Sequence, residues 1–379
     1  MSEPEDQIAP ALSVALIVDR PTIERLRVPL RRLIIGLIDE AVRVTLIAPD
    51  AVQFPGVLAG SIAHHPLPRV GWPVTGRAVR QLAGRLGQTR FDLVHSLSGS
   101  QASLADRLAD RLDTPLLVSI ADRRHVDRLV GHIWRNQTHL LTMTEPMRQL
   151  AADRLAVNPQ RLHVIRPGLP AAAATACYAL ETRTAAILTT GGLTSDCGVD
   201  RLISAFAALI AQGLDALLFV VGAGPAEPAL REQTRRLGLG QRVTFAPPTS
   251  DASGVLSAAD LFVLPRRESS VCLESLEAMA AGLAVVAADG GVADWLLDET
   301  TALLYAPSAA VPAAGHEEQL VLQIRRLIED RPAARRLAGN ARQHVREHHA
   351  ISRMTSATIQ LYRELALARK TLPVGPAAT

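Results

Sequence analysis

The sequence predicts an α/β protein built from two doubly wound parallel sheets. Short apolar segments alternate with longer helical ones along most of the 379 residues. The short segments are apolar on both faces, as expected for parallel strands that helices cover on either side. This alternation stops once, over 166–184, where Pro, Gly and an Ala run occur, and then restarts. Two domains follow, each large enough to enclose its own core.

The first domain is predicted over residues 1–168, where helices separate the strands, as parallel pairing requires. The predicted strands are Ser13–Val18, Val42–Ile47, Phe91–His95, Leu116–Ile120, His139–Met143 and Leu162–Ile165. The predicted helices are Thr22–Glu40, Gln101–Leu112 and Glu145–Ala156.

The second domain is predicted over residues 185–350, after a linker at 169–184. The predicted strands are Ala185–Thr190, Leu217–Gly222, Val243–Ala246, Leu261–Leu264 and Ala284–Ala288. Helical patterns begin near Gly198, Pro225, Asp251, Val271 and Gly291, and residues from Gly315 onward are nearly all helical, with breaks at Pro332 and around His349. Sheets of this type bind ligands at the carboxyl ends of their strands, so we expect a ligand cleft where the two domains face each other.

Composition narrows the class of protein. The formal net charge of +3 predicts no nucleic-acid binding by bulk electrostatics. No run of 18 apolar residues occurs, and the first residues, MSEPEDQ, are acidic, so a cytoplasmic protein is expected. Thirty-nine arginines accompany a single lysine, Lys370, which excludes a mechanism that needs lysine in the body of the chain. The three cysteines are far apart and predict neither disulfides nor a metal site.

Three stretches of the second domain carry a specific signal. Gly191–Asp200 (GGLTSDCGVD), Val220–Pro225 (VVGAGP) and Pro265–Gly282 (PRRESSVCLESLEAMAAG) each follow or end a predicted strand. In order and spacing they resemble the donor-binding domain of glycosyltransferase family 4 (glycosyl transferases group 1) over Ala185–Ala306. The first domain resembles that family in outline only, through VRVTLIAPD, FDLVHS and HVIRPGL.

This resemblance implies the GT-B fold, with two Rossmann-like domains facing a cleft. It implies that residues 351–379 form a helix that crosses back to the first domain and ends in a disordered tail. It also implies transfer of a sugar from a nucleotide sugar to an acceptor, with retention at the anomeric carbon. No metal or other cofactor is expected, and the acceptor is a saccharide, a lipid or a small molecule.

The resemblance also implies a set of donor-binding residues. They are Gly191, Gly192, Gly198, Gly222, Gly224, Arg266, Arg267, Ser270 and Glu277. Glu277 matches the second of two family glutamates, whose carboxylate can accept hydrogen bonds from both ribose hydroxyls. The position of the first glutamate, a candidate catalytic residue, falls on Ser269. Either Ser269 has replaced it, or an extra loop residue lets Glu268 reach the same place.

Two cations of the family are missing. Its Arg falls on Gly192 and its Lys on Cys197, although the leaving nucleoside diphosphate gathers negative charge as the bond breaks. In phosphoryl-transfer sites the removal of one such charge costs about 10³–10⁵ in rate. Backbone N–H groups at the glycine turn and at the start of the helix remain as hydrogen-bond donors to an anion. Arg266 and Arg267 are the candidates to supply the missing positive charge. The alternative is that they are an ordinary solvated pair.

The family's reacting histidine has no clear counterpart in the first domain. Its position falls on Ala121, so His125, four residues on, and His95, which ends FDLVH, are the candidate catalytic residues. A structural histidine is the alternative for each. The glycine-rich loop usual after the first strand is replaced by Asp19-Arg20-Pro21, and proline has no N–H for a phosphate.

Two functions remain open at this point. One is an active glycosyltransferase with a reworked phosphate site. The other is a GT-B protein that has lost catalysis and acts as a binding or partner subunit, which the coincident changes at Gly192, Cys197, Ser269 and Ala121 favour.

The first predicted helix suggests a further partner. Arginines surround its apolar run Leu33–Ile35, at positions 20, 25, 27, 31 and 32. Basic amphipathic helices can lie on anionic membranes, so a peripheral membrane contact is one interpretation. An ordinary amphipathic helix in an arginine-rich chain is the other.

Overall fold

The computed structural model describes residues 12–49, 62–68, 76–87, 89–132, 134–170, 177–178, 184–248, 252–266, 271, 273–305 and 313–371. The chain forms two compact units: the first comprises residues up to Gly168 and from Ile351 onward, and the second is Leu169–Ala350. Tyr178, in the predicted linker, is fully buried in the second unit. Its N–H donates to the Asp260 carboxylate at 3.0 Å.

In the first unit, a parallel sheet has the strand order β3-β2-β1-β4-β5-β6-β7. The strands are β1 (Ser13–Ile17), β2 (Arg43–Ala48), β3 (Ala63–Pro66), β4 (Leu93–Ser96), β5 (Leu116–Ile120), β6 (Thr138–Thr142) and β7 (Leu162–Val164). The helices are α1 (Arg20–Arg25), α2 (Arg27–Asp39), α3 (Gly76–Leu86), α4 (Ala102–Arg111), α5 (Arg123–Leu129) and α6 (Glu145–Arg154).

In the second unit, a parallel sheet has the order β10-β9-β8-β11-β12-β13. The strands are β8 (Ala185–Thr190), β9 (Ala216–Val221), β10 (Val243–Ala246), β11 (Leu261–Leu264), β12 (Ala284–Ala288) and β13 (Leu303–Tyr305). The helices are α7 (Val199–Ala211), α8 (Glu227–Arg236), α9 (Ala252–Ser257), α10 (Glu274–Ala281), α11 (Ala313–Glu329) and α12 (Arg331–His348). The strand order reverses between β8 and β11, so the loops after these two strands diverge there and leave room for a ligand.

The last described helix, α13 (Ile351–Thr371), packs into the first unit. Its buried side chains join the core formed by β1, β2 and α2. They are Met354, Ile359, Leu361, Tyr362 and Leu365. The first unit therefore contains both ends of the described chain.

Two predicted helices were wrong. The helix expected over Thr22–Glu40 is divided into α1 and α2 at Leu26, where φ is −112° and ψ is 29°. This break places Pro29 in the first turn of α2, where its missing N–H leaves no intrahelical bond unmade. The segment from Gly291, also expected to begin a helix, consists of turns before β13.

The breaks predicted in the C-terminal helices are confirmed. Helix α12 begins after Asp330, with Pro332 in its first turn, and it ends at His348. Within the ranges described above, no helix has the length and apolar character needed to span a bilayer.

Candidate functional site

The first loop, residues 191–198, leaves the carboxyl end of β8 and leads into α7. Gly191 has a φ of 137°, a conformation that glycine adopts at little cost. Its N–H donates to the Val221 carbonyl at 3.1 Å, and the Leu193 N–H donates to the Ala223 carbonyl at 3.0 Å. The first loop therefore lies directly on the segment that leaves β9.

Two predicted donor-binding glycines make this close approach possible. A Cβ at Gly222 would lie 2.0 Å from the Gly191 carbonyl oxygen, and a Cβ at Gly224 would lie 2.3 Å from the Leu193 carbonyl oxygen. Neither distance leaves room for a side chain. Packing of backbone on backbone thus requires glycine at both positions, whether or not a ligand binds.

Gly198 joins the first loop to the end of β11. It precedes α7 with a φ of 74°, and a Cβ there would lie 2.6 Å from the Pro265 carbonyl oxygen. The Tyr305 hydroxyl donates to that same oxygen at 2.7 Å. Pro265 is therefore held between α7 and β13, and Arg266 follows it at the carboxyl edge of the sheet.

The two positions where the family has cations differ in their surroundings. An added Cβ at Gly192 would meet nothing within 4 Å, so this position opens to free space. Cys197 is only 6% exposed and belongs to the apolar core of the unit. A long charged side chain fits the first position and not the second without rearrangement.

Two arginines lie near the first loop. The Arg266 guanidinium is 3.7 Å from the Asp196 carboxylate. The Nη2 atom of Arg201 lies 3.1 Å from the place that a Gly198 Cβ would occupy. Sequence reasoning missed Arg201, although a signal was present. Side chains in a helix lean toward its N-terminus, so the third residue of α7 is directed back over Gly198.

Glu277 lies in the first turn of α10 and is mostly buried. Burial and the neighbouring Glu274 carboxylate raise the pKa of Glu277 to about 7. No cation within the described ranges forms an ion pair with it. At neutral pH this group is divided between the acid and the carboxylate, so it can both donate to and accept from a ligand hydroxyl.

Four predicted residues lie outside the described residues. They are Arg267, Glu268, Ser269 and Ser270. The choice between Glu268 and Ser269 for the family's first glutamate therefore stays a prediction.

His95 does not fit a reacting role. It lies in β4, is 1% exposed, and both ring nitrogens are engaged inside the first unit. Nδ1 is 2.6 Å from the Tyr362 hydroxyl, and Nε2 is 2.8 Å from the Ser119 hydroxyl. Burial lowers the pKa of His95 to about 3, so the ring is neutral. These contacts support the structural alternative, a core histidine that fixes α13 on β4.

The segment after β5 carries the other candidate, His125. Ala121 is 5% exposed, and Asp122 then caps α5 by accepting a hydrogen bond from the Arg124 N–H at 2.7 Å. His125 lies in α5, half-buried, and an added Cβ at Gly99 would be 2.9 Å from its Cβ. The ring therefore packs beside the turn that follows β4, and its catalytic role stays a prediction.

A polar cluster at the ends of β1 and β4 was not predicted. The Asp19 carboxylate accepts hydrogen bonds from the Thr22 N–H and the Ser98 hydroxyl, each at 2.9 Å, and from the Ser100 hydroxyl. Burial acts to raise the pKa of Asp19, but these hydrogen bonds outweigh it and lower the pKa. Where the family has a glycine-rich loop, this chain thus holds a fixed carboxylate that caps α1. An Asp two residues before Pro was the available signal.

Comparison with known proteins shows which family the chain is similar to. The family model described as glycosyl transferases group 1 matches residues 184–330. A D-inositol 3-phosphate glycosyltransferase of Rhodococcus erythropolis is 30% identical over 314 residues, which cover 73% of this chain and 69% of that protein. The uncharacterized glycosyltransferase YqgM of Bacillus subtilis is 25% identical over 298 residues, covering 73% of this chain and 79% of YqgM.

The fold agrees with these relatives. The crystal structure of Anabaena HepE in complex with UDP and glucose has a TM-score of 0.76 and 16% identity, and the match covers 93% of this chain and 99% of HepE. Together with the family match and the 30% identical relative, these two parallel sheets identify a glycosyltransferase of the GT-B class. The chain belongs to the glycosyl transferases group 1 family.

Proposed function

We propose that the chain transfers a sugar from a nucleotide sugar to an acceptor, with retention at the anomeric carbon. The observation that carries this proposal is Glu277, a mostly buried carboxyl without a cation partner in the described chain, at the family's ribose-binding position. The HepE structure, whose ligands are UDP and glucose, supports a nucleotide donor.

The described residues have distinct roles in this proposal. The Glu277 carboxylate accepts hydrogen bonds from the ribose hydroxyls. Arg266 and the N–H groups at the start of α7 face the diphosphate, which becomes more negative as the glycosidic bond breaks. Donors fixed in advance at such a place stabilise the transition state more than the ground state.

The alternative is a binding or partner subunit without turnover. The observation that favours it is the pair Gly192 and Cys197, since neither supplies a cation and the Cys197 side chain lies in the core.

The stereochemistry of donor consumption tests the proposal. The chain is incubated with nucleotide sugars, and the released sugar is followed by proton NMR before it mutarotates. We expect hydrolysis in which the first anomer formed has the donor's configuration. Donor binding without consumption would contradict the enzyme and support the binding subunit. The inverted anomer would contradict retention.

The exposed face of α2 favours a second element of function, a contact with anionic membranes. Arg27, Arg31 and Arg32 are exposed there, and Val28 is 44% exposed beside them. Basic side chains around an exposed apolar residue are typical of helices that lie at a lipid interface. We propose that this face contacts anionic lipid when the acceptor is lipid-borne.

A further inference from the structure

The phosphate-binding part of this site lacks its expected charges. Gly192 has no side chain, and the Cys197 side chain is packed in the core. Arg266 is partly neutralised by Asp196 at 3.7 Å. A diphosphate that binds at the first loop therefore needs a further cation, and the expected positions do not provide it.

Arg201 lies beside the first loop, where such a cation is needed. Its guanidinium lies over Gly198, with Nη2 3.1 Å from the Cβ position, and the Pro265 carbonyl is next to that same position. It thus sits where the first loop meets the end of β11. Its charge also reaches Tyr305, the residue that holds Pro265: burial raises the pKa of Tyr305, and Arg201 partly opposes this.

Among the described residues, Arg201 has no anionic partner, a feature that it shares with Arg236 on α8. No residue in the described chain forms a hydrogen bond or an ion pair with it. By contrast, Arg231, Arg242 and Arg326 pair with Glu227, Asp215 and Glu299. A cation in the first turn of a helix is also opposed by the helix dipole, so its position there is unfavourable unless an anion binds beside it.

We propose that Arg201 binds the diphosphate of the donor, and so provides from α7 a charge that Gly192 and Cys197 do not. The inference rests on the proposed function and adds to it a residue outside the family positions. A guanidinium can bind two phosphate oxygens at once, which suits a diphosphate better than a point charge does.

Calorimetric titration of the full chain with UDP, ADP, GDP, uridine and inorganic pyrophosphate tests this inference. The variants are R201A and R201K, with R236A as the matched control, because Arg236 is an exposed arginine of the same unit. We expect R201A to weaken the best nucleoside diphosphate by about 10- to 100-fold, as for other hydrogen bonds to charged groups. We expect R201K to be intermediate, R236A to be unchanged, and uridine to bind all variants alike.

The outcomes separate the inference from the proposed function. Unchanged diphosphate affinity in R201A, or an equal loss for uridine, would overturn the role of Arg201 while leaving the donor site intact. Pyrophosphate binding that depends on Arg201, without any nucleotide binding, would support Arg201 and overturn the nucleotide donor. Wild-type chain that binds none of these probes would overturn both. Melting curves of each variant show that it is folded.

Discussion

At the residue scale, Glu277 combines its proposed binding role with a cost in stability. Its pKa is raised from 4.5 to about 7 by burial and by Glu274. Between these two values the folded chain holds a proton that the unfolded chain has released. The free energy of unfolding is therefore unaffected by this group below pH 4.5 and falls as the pH rises through 7. A role in function explains a carboxyl with this cost better than a role in stability does.

The variant E277Q removes this pH dependence. Because glutamine is neutral at every pH, we expect it to be more stable than wild type by about 2–3 kcal/mol at pH 8 and nearly equal at pH 4. Urea denaturation at both pH values measures this difference. The control is E299Q, because a hydrogen bond from Arg326 lowers the pKa of Glu299 and no gain at pH 8 is expected. A gain of the same size at both pH values would contradict the account.

Gly192 offers a direct test of the missing charge. The open space around it accommodates arginine, so G192R should bind the best nucleoside diphosphate about tenfold more tightly. The control is G240R, since Gly240 in the same unit also has nothing within 4 Å. Affinities come from calorimetric titration. If G192R binds no better than G240R, Gly192 does not face the phosphates.

Sequence alone predicted the position of Glu277 and of the glycine turns, because apolar strands and a distinctive motif surround them. It could not distinguish a glycine needed for packing, such as Gly222, from one that faces open space, such as Gly192. That distinction depends on backbone contacts between loops far apart in the chain. The sequence likewise could not show that His95 contacts Tyr362 in the core, because the two residues are 267 positions apart.

At the element scale, the strands β3 and β13 and the helices α3 and α5 escaped prediction. The strands β3 and β13 contain four and three residues, too few to show a period. The division between α1 and α2 depends on Pro29, which a helix tolerates only near its start. That division leaves α2 with one buried face and one basic, exposed face.

The exposed face of α2 predicts salt-sensitive binding to anionic vesicles. We expect R27E/R31E to lose most sedimentation with vesicles of phosphatidylglycerol and phosphatidylcholine, because each basic residue near such a surface contributes about 1 kcal/mol. The control is R107E/R111E, a pair of exposed arginines with the same spacing on α4. Equal losses in both variants, or no binding by wild type, would contradict a specific role for α2.

At the scale of the whole molecule, each unit has its own sheet and its own core. Helix α13, the last of the described elements, completes the core of the first unit. Tyr362 is fully buried there and contacts His95 on β4. The core of the first unit therefore depends on contacts between β4 and α13, two elements that are far apart in the chain.

The variant Y362A tests this division. Loss of the buried ring should destabilise the first unit by about 3–5 kcal/mol and leave the second unit unchanged. Hydrogen exchange measures this as lost protection of amides in β4, β5 and β6, with protection kept in β8 and β9. Equal loss of protection in both units would show that they unfold together.

In the proposed function, the second unit binds a nucleotide sugar. Thermal unfolding of the whole chain with millimolar UDP, ADP, GDP and their common sugar derivatives tests it most directly. A ligand at 100 times its dissociation constant adds about 2.7 kcal/mol, which raises the melting temperature visibly. We predict a clear rise with the nucleotides of one base. Unchanged melting across the whole panel would mean that the second unit binds no nucleotide sugar.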